Sequence, residues 1–90
     1  MLLVIDVGNT HIVLGVYEQD RLKHHWRMHT DREATEDEYA IMIRNLFAYA
    51  QIEEQMIDGM ILSSVVPSLT HVFQKWSEKY LSLTAMIVGP

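Results

Sequence analysis

The apolar residues repeat in two different periods, which predicts strands first and then helices interleaved with strands. Residues 2–7, LLVIDV, form a continuous apolar run typical of a central strand buried on both faces. Gly8-Asn9 separates it from a β-branched run at 11–17, which predicts a tight hairpin because both residues tolerate positive φ. Residues 22–29 alternate strictly after a turn at Asp20-Arg21. The chain therefore opens with a three-strand antiparallel meander.

A helical period replaces this alternation after residue 34. Thr35 and Glu38 have the spacing of a capping box, and an apolar stripe at helical spacing continues to about residue 51. Residues 60–66, MILSSVV, form a buried strand, and Pro67 suits the first turn of a second helix. A last apolar run at 84–88, TAMIV, reads as the final strand.

The order β-β-β-α-β-α-β predicts an α/β fold with a ribonuclease-H-like core. Helices that connect the later strands require parallel pairing with right-handed crossovers. We therefore expect a mixed five-stranded sheet in the order 3-2-1-4-5, with helices packed on it and the first strand central. Ninety residues allow one domain, here residues 1–90.

Composition excludes several classes of protein. The formal net charge of −5 argues against nucleic acid as the main partner, because phosphate backbones select for basic surfaces. The chain contains no cysteine, which excludes disulfides and thiolate metal sites and suits a reducing interior. It has neither a secretory signal at its start nor an apolar stretch long enough to span a membrane. We expect a cytoplasmic protein without a membrane partner.

The segment Asp6-Val7-Gly8-Asn9-Thr10 carries the candidate chemistry. A carboxylate that ends a buried strand is costly unless it is paired, and a hydrated magnesium ion is a suitable partner. We expect Gly8 to let a phosphate approach the backbone, and the amides of Gly8, Asn9 and Thr10 to point into a small anion-binding concavity. The alternative is that Asp6 only caps a hairpin turn. The predicted topology favours the phosphate site, because such folds bind a phosphate and its metal between the first two strands.

Two other nucleotide chemistries fit the sequence poorly. A two-metal nuclease on this fold needs several carboxylates near Asp6, but the fourth strand ends without an acid. The acids of the first helix, Glu36, Asp37 and Glu38, read as capping and dipole residues, and Asp58 lies at the opposite end of its strand. A dinucleotide site requires G-x-G-x-x-G between a strand and a helix, and this chain does not have it.

Two further groups of polar residues have both a functional and a structural explanation. The hydroxyls of Ser63 and Ser64 precede the second helix and could help to bind an anion, but plain N-capping is the favoured interpretation. The histidines of the third strand share a face with Lys23 and Arg27, which would repel a cation. We therefore interpret that face as solvated, and the aromatic residues of both helices as core.

The opening MLLVIDVGNT, the Thr30-Asp31-Arg32 triplet and the segment DGMILSSVVP at 58–67 together resemble the type III pantothenate kinases. These enzymes belong to the superfamily of acetate and sugar kinases, Hsp70 and actin. The resemblance runs over the whole chain and includes the terminal IVGP. D-x-G-N-T alone is shared across the superfamily, whereas its combination with S-S-V-V-P is far more specific.

The resemblance implies ATP-dependent phosphorylation of pantothenate to 4′-phosphopantothenate, the first step of coenzyme A biosynthesis. It also implies Mg²⁺, a monovalent cation (K⁺ or NH₄⁺) and a homodimer of two-domain subunits. The resemblance implies that Asp6 lies near the magnesium ion, with water between them. The ATP-binding loop implied by the resemblance comprises Asp6, Val7, Gly8, Asn9, Thr10, His11, Ile12 and Val13. His11 stands where asparagine is common, although an imidazole can still donate a hydrogen bond.

The resemblance also implies that the chain is the N-terminal part of a longer enzyme. The G-x-D-R segment that binds pantothenate, whose aspartate is the catalytic base, is expected beyond Pro90, as are the monovalent-cation ligand and the second domain. No catalytic residue is assigned within these 90 residues, so we expect the isolated chain to be inactive. The alternative function is that of a non-catalytic regulatory or interaction module on the same fold.

Overall fold

The computed structural model describes residues 1–89, and its elements follow the predicted order. The five strands form one sheet in the order β3-β2-β1-β4-β5, which confirms the predicted topology. β1 pairs antiparallel with β2 and parallel with β4. The elements are β1 (Leu2–Val7), β2 (His11–Glu18), β3 (Arg21–His29), α1 (Glu36–Tyr49), β4 (Gly59–Ser64), α2 (Pro67–Trp76) and β5 (Met86–Val88).

Only one face of the sheet is covered by helices within residues 1–89. On β1, Leu3, Ile5 and Val7 are fully buried against the helices. Leu2 and Val4 are only partly buried, and Asp6 is exposed. The prediction that β1 is buried on both faces is therefore wrong for the described residues, because both helices pack on the same side. We call the side that carries Leu2, Val4 and Asp6 the open face.

The core between the sheet and the helices is built largely from aromatic rings. Tyr39 and Phe47 of α1, and Phe73 and Trp76 of α2, are all at most 1% exposed. The ring centroids of Tyr39 and Phe73 lie 4.8 Å apart, so the two helices contact each other through these rings. The interpretation of the helical aromatic residues as core is confirmed. No helix within residues 1–89 has the length and apolar character needed to cross a membrane.

The N-terminus of α1 has the predicted capping box. The Glu38 amide donates to the Thr35 hydroxyl at 3.2 Å, and the Thr35 amide donates to the Glu38 carboxylate at 2.9 Å. Each bond satisfies a backbone donor that the first helical turn leaves without an intrahelical partner. The helix therefore begins at a point fixed by two local side chains.

Replacing Thr35 by alanine should lower the free energy of unfolding by about 1 kcal/mol, because the Glu38 amide loses its acceptor. Urea denaturation followed by circular dichroism measures the change. Thr35→Ser keeps the hydroxyl and serves as the matched control, with a much smaller loss expected. Equal losses in the two variants would contradict the capping role of the hydroxyl.

Two turns differ from the sequence-based prediction. The loop between β1 and β2 contains no residue with positive φ, so the predicted hairpin turn is wrong in its backbone conformation. The next turn instead places Gln19 at φ 58°, a region that non-glycine residues rarely occupy.

Two strand boundaries also differ from the prediction. β4 ends at Ser64 rather than at residue 66, and β5 begins at Met86 rather than at residue 84.

Candidate functional site

Asp6 lies near the C-terminal end of the central strand, on the open face. Its neighbours in register are Val13 on β2 and Ser63 on β4. Asp6 is exposed, and no hydrogen bond or ion pair within residues 1–89 engages its carboxylate. The expected cost of burying this acid therefore does not arise in the described chain. The carboxylate is available to an external cation.

The loop that follows β1 uses one of its three amides for its own closure. The Gly8 amide donates to the carbonyl of His11 at 2.9 Å. The prediction that this amide points into an anion-binding concavity is therefore wrong, because it closes the hairpin. A Cβ on residue 8 would lie 2.9 Å from the same His11 oxygen, so the close approach of two backbones is the reason for glycine here. Asn9 and Thr10 are exposed and remain candidates for anion contact.

The remaining residues of the predicted ATP-binding segment divide between the core and the open face. Val7 and Ile12 are fully buried, so only their backbone could face a nucleotide. Val13 lies on the open face beside Asp6 and is 43% exposed. His11 is exposed, and its ring packs edge-on against His29 with centroids 6.2 Å apart. The structure thus leaves Asp6, Asn9, Thr10, His11 and Val13 exposed, with Asp6 and Val13 side by side.

The chain segment after β3 braces this loop, which sequence reasoning did not anticipate. The Thr30 amide donates to the carbonyl of Thr10 at 2.8 Å, and the Thr30 hydroxyl donates to the carbonyl of Gly8 at 2.9 Å. Arg32 Nη2 donates to Asn9 Oδ1 at 2.7 Å. The Thr30-Asp31-Arg32 triplet was a signal of family resemblance, but nothing in its local pattern revealed these contacts. We call residues 30–32 the corner.

A buried tyrosine connects the corner to α1. The Asp31 amide donates to the Tyr39 hydroxyl at 3.0 Å, and that hydroxyl donates to the Asp31 carbonyl at 2.7 Å. Tyr39 is fully buried, and burial raises the pKa of its phenol. The phenol therefore stays protonated and able to donate at neutral pH. The corner is held on one side by the helix and on the other by the loop.

The surroundings of Asp6 fit a hydrated divalent ion better than a site made entirely of protein ligands. Within residues 1–89, no three His, Cys, Asp or Glu side chains converge on a possible metal position. Mg²⁺ keeps several waters and commonly uses one or two carboxylates together with phosphate oxygens. A single free carboxylate beside exposed loop donors satisfies that requirement.

Three of the other four acids considered for a nuclease have structural partners within residues 1–89. Glu38 belongs to the capping box, and Asp58 pairs with the N-terminal amine at 3.2 Å. Asp37 accepts hydrogen bonds from Lys79 and Tyr80. The Lys79 bond, followed by the Tyr80 bond, lowers the pKa of the Asp37 carboxyl. Their interpretation as structural rather than catalytic acids agrees with these contacts.

The two serines before α2 do not cap that helix. The N-cap residue is Val66, and no side chain caps the first turn. The Ser64 hydroxyl instead accepts from the Val66 amide at 3.1 Å and donates to the Val66 carbonyl at 3.0 Å. The N-capping interpretation is therefore wrong, because the Ser64 hydroxyl binds the backbone of Val66, two residues later in the sequence. Ser63 lies on the open face next to Asp6, as its register partner.

The sequence is similar to those of known proteins along its whole length. A family model for type III pantothenate kinase matches residues 2–90. The chain is 52% identical over all 90 residues to a type III pantothenate kinase of Halalkalibacterium halodurans, and covers 35% of that protein. It is 49% identical to one from Brevibacillus brevis, again covering 35%. The chain thus spans about a third of the length of the curated relatives that it matches.

A solved structure supports the fold at much lower sequence identity. The chain superimposes on a structure described as an N-acetylglucosamine kinase of Porphyromonas gingivalis with a TM-score of 0.67 and 12% identity. The match covers 99% of this chain and 33% of the other. It supports the architecture alone, whereas the family assignment comes from the sequence matches. The chain belongs to the type III pantothenate kinase family.

Proposed function

We propose that the chain is the N-terminal, phosphate-binding part of an enzyme that transfers a phosphoryl group from ATP to pantothenate. The product would be 4′-phosphopantothenate, in the first step of coenzyme A biosynthesis. Family membership supports this reaction class, since the family is that of the type III pantothenate kinases. The observation that carries the proposal is the free Asp6 carboxylate at the end of β1, beside the exposed Asn9 and Thr10.

Each residue of the site has a distinct part in the proposed mechanism. The Thr10 hydroxyl and the amides of Asn9 and Thr10 donate hydrogen bonds to phosphate oxygens. Asp6 would hold Mg²⁺, and the ion would neutralise phosphate charge. Phosphoryl transfer depends mainly on positioning and charge neutralisation, so a braced loop beside one carboxylate supplies part of both. Gly8 contributes by letting the hairpin close.

Several finer features belong to the proposal as expectations from the family. The divalent ion is Mg²⁺, and the monovalent cation is K⁺ or NH₄⁺ with its ligand outside this chain. The whole enzyme is a cytoplasmic homodimer, each subunit having residues 1–90 in its first domain and a second domain beyond them. The general base that accepts the proton of the pantothenate hydroxyl lies outside these 90 residues as well.

A chimera tests the proposal directly. The chain replaces the matching segment of the Halalkalibacterium halodurans relative, to which it is 52% identical. We expect this chimera to phosphorylate pantothenate in the presence of ATP and Mg²⁺, because the site is completed by the relative's remaining two thirds. The 90 residues alone should give no turnover, because the catalytic base and the residues that contact adenine are expected outside them. Radiolabelled phosphate transfer to pantothenate measures both.

The unmodified relative provides the matched control for expression and assay conditions. A folded chimera that binds pantothenate but transfers no phosphate from ATP would contradict the kinase assignment for this chain. That outcome would favour the alternative of a regulatory or interaction module. Turnover by the isolated 90 residues would contradict the placement of the base outside them.

A further inference from the structure

The corner at residues 30–32 contacts every residue of the β1–β2 loop. Thr30 binds the carbonyl oxygens of Gly8 and Thr10, and Arg32 binds the side chain of Asn9. These contacts join positions at least 20 residues apart in sequence, so they fix tertiary structure rather than a local turn. Thr30 is only 8% exposed, which protects both of its bonds from competition with water.

The hydrogen bond from Arg32 determines which way the Asn9 carboxamide faces. An asparagine side chain has one end that accepts hydrogen bonds and one that donates them. A guanidinium can only donate, so the carbonyl end of Asn9 must face Arg32, at 2.7 Å. The amino end then faces away from Arg32, with its two N–H groups available. An anion beside the loop therefore meets donors from Asn9 and not a repelling oxygen.

Arg32 is also charged and exposed, and one of its five N–H donors suffices for Asn9. Its remaining donors add a positive charge next to a loop that otherwise has only neutral groups. The buried Tyr39 phenol holds the intervening Asp31 backbone by both its amide and its carbonyl. The backbone next to Arg32 is thus held by the core.

We infer that Arg32 is a positioning residue of the polyphosphate site, orienting the Asn9 carboxamide so that its amino group faces the anion. This inference rests on the proposed function of the loop. Arg32 acts on the phosphate through Asn9, and its charge strengthens the same site. Lysine can replace it in part, because an ammonium also only donates, although it lacks the planar fork.

Magnesium tripolyphosphate is the probe, titrated into the ¹⁵N-labelled 90-residue protein by NMR. We expect saturable shifts of the Asn9 and Thr10 amides and of the Asn9 side-chain NH₂ group in the wild-type protein. Arg32→Ala should weaken binding roughly tenfold, as expected for loss of a hydrogen bond to a charged group. It should also abolish the shift of the Asn9 NH₂ group. Arg32→Lys should recover most of both effects.

Arg21→Ala is the matched control, because Arg21 is exposed and lies at the opposite end of β3. It removes the same charge and should change the affinity less than twofold. If wild type binds and Arg32→Ala binds equally well with an unchanged Asn9 signal, the role of Arg32 is refuted while the loop assignment stands. If wild type shows no shift at Asn9 or Thr10, the loop assignment fails and the inference fails with it.

Discussion

Replacing Asp6 by asparagine in the chimera should reduce kcat roughly 10²- to 10³-fold, the size expected when one preorganised electrostatic group is removed from an active site. Asparagine keeps the shape of the side chain but loses the negative charge that attracts Mg²⁺. Raising the Mg²⁺ concentration should recover part of the activity. Steady-state phosphorylation of pantothenate at varied Mg²⁺ measures both effects.

The same change should leave the fold intact. Asp6 is exposed and has no partner within residues 1–89, so its replacement should alter the free energy of unfolding by no more than about 0.5 kcal/mol. Asp20→Asn is the matched control, since Asp20 is an exposed acid in the turn between β2 and β3 and should not affect turnover. A chimera with Asp6→Asn that keeps wild-type kcat and Mg²⁺ dependence would remove the carboxylate from the mechanism.

The parts of the fold that were predicted correctly depend on short-range patterns or on general rules for connecting strands. Thr35 and Glu38 are three residues apart, so their reciprocal capping is visible in the sequence. Pro67 begins α2 as predicted, because its missing amide costs nothing in the first turn. The strand order agrees with the parallel pairing expected of strands that are connected by helices. None of these needs knowledge of distant side chains.

The errors arise where a polar group has more than one possible hydrogen-bond partner. The Gly8 amide was expected to face a ligand, but the strand opposite offers it the His11 carbonyl. Ser64 was expected to cap α2, but the Val66 amide is a nearer donor. In both cases the sequence identifies a polar or conformationally permissive residue but does not identify its hydrogen-bond partner. Backbone geometry, which the sequence pattern does not specify, decides between such partners.

The sequence alone therefore identifies only part of the candidate site. Asp6, Asn9 and Thr10 lie next to each other in sequence, and their motif identifies them. Thr30 and Arg32 contact the same loop from at least 20 positions away, and no periodicity in the sequence indicates these contacts. In the sequence, the Thr30-Asp31-Arg32 triplet is part of the family resemblance, but it does not indicate a structural role. Its role follows from the pairing of β2 with β3, which brings residue 30 beside the loop.

The corner depends on the aromatic core, and so stability and the site are coupled. Tyr39 holds the Asp31 backbone, and its ring packs on Phe73 of α2 at a centroid distance of 4.8 Å. Phe73 also contacts Trp76 edge-on, with centroids 6.4 Å apart. Loosening this cluster would free the Tyr39 ring and with it the corner. The β1–β2 loop is thus supported through a continuous series of contacts from α2.

Replacing Phe73 by alanine should lower the free energy of unfolding by about 3–5 kcal/mol, because the ring is fully buried and its removal leaves a cavity. A 90-residue domain has roughly 5–14 kcal/mol in total, at about 0.05–0.15 kcal/mol per residue. The variant should therefore lose a large share of its stability. Urea denaturation followed by circular dichroism measures the loss.

Two further variants keep this prediction decisive even if Phe73→Ala does not fold. Phe73→Leu fills part of the cavity and should lose less stability while remaining folded. Tyr49→Ala is the matched control, since Tyr49 is an aromatic residue of α1 that is 90% exposed, and it should change stability by about 0.5 kcal/mol or less. If the Phe73 variants are as stable as Tyr49→Ala, then α2 does not pack through this ring, and the support of the loop through Tyr39 loses its basis.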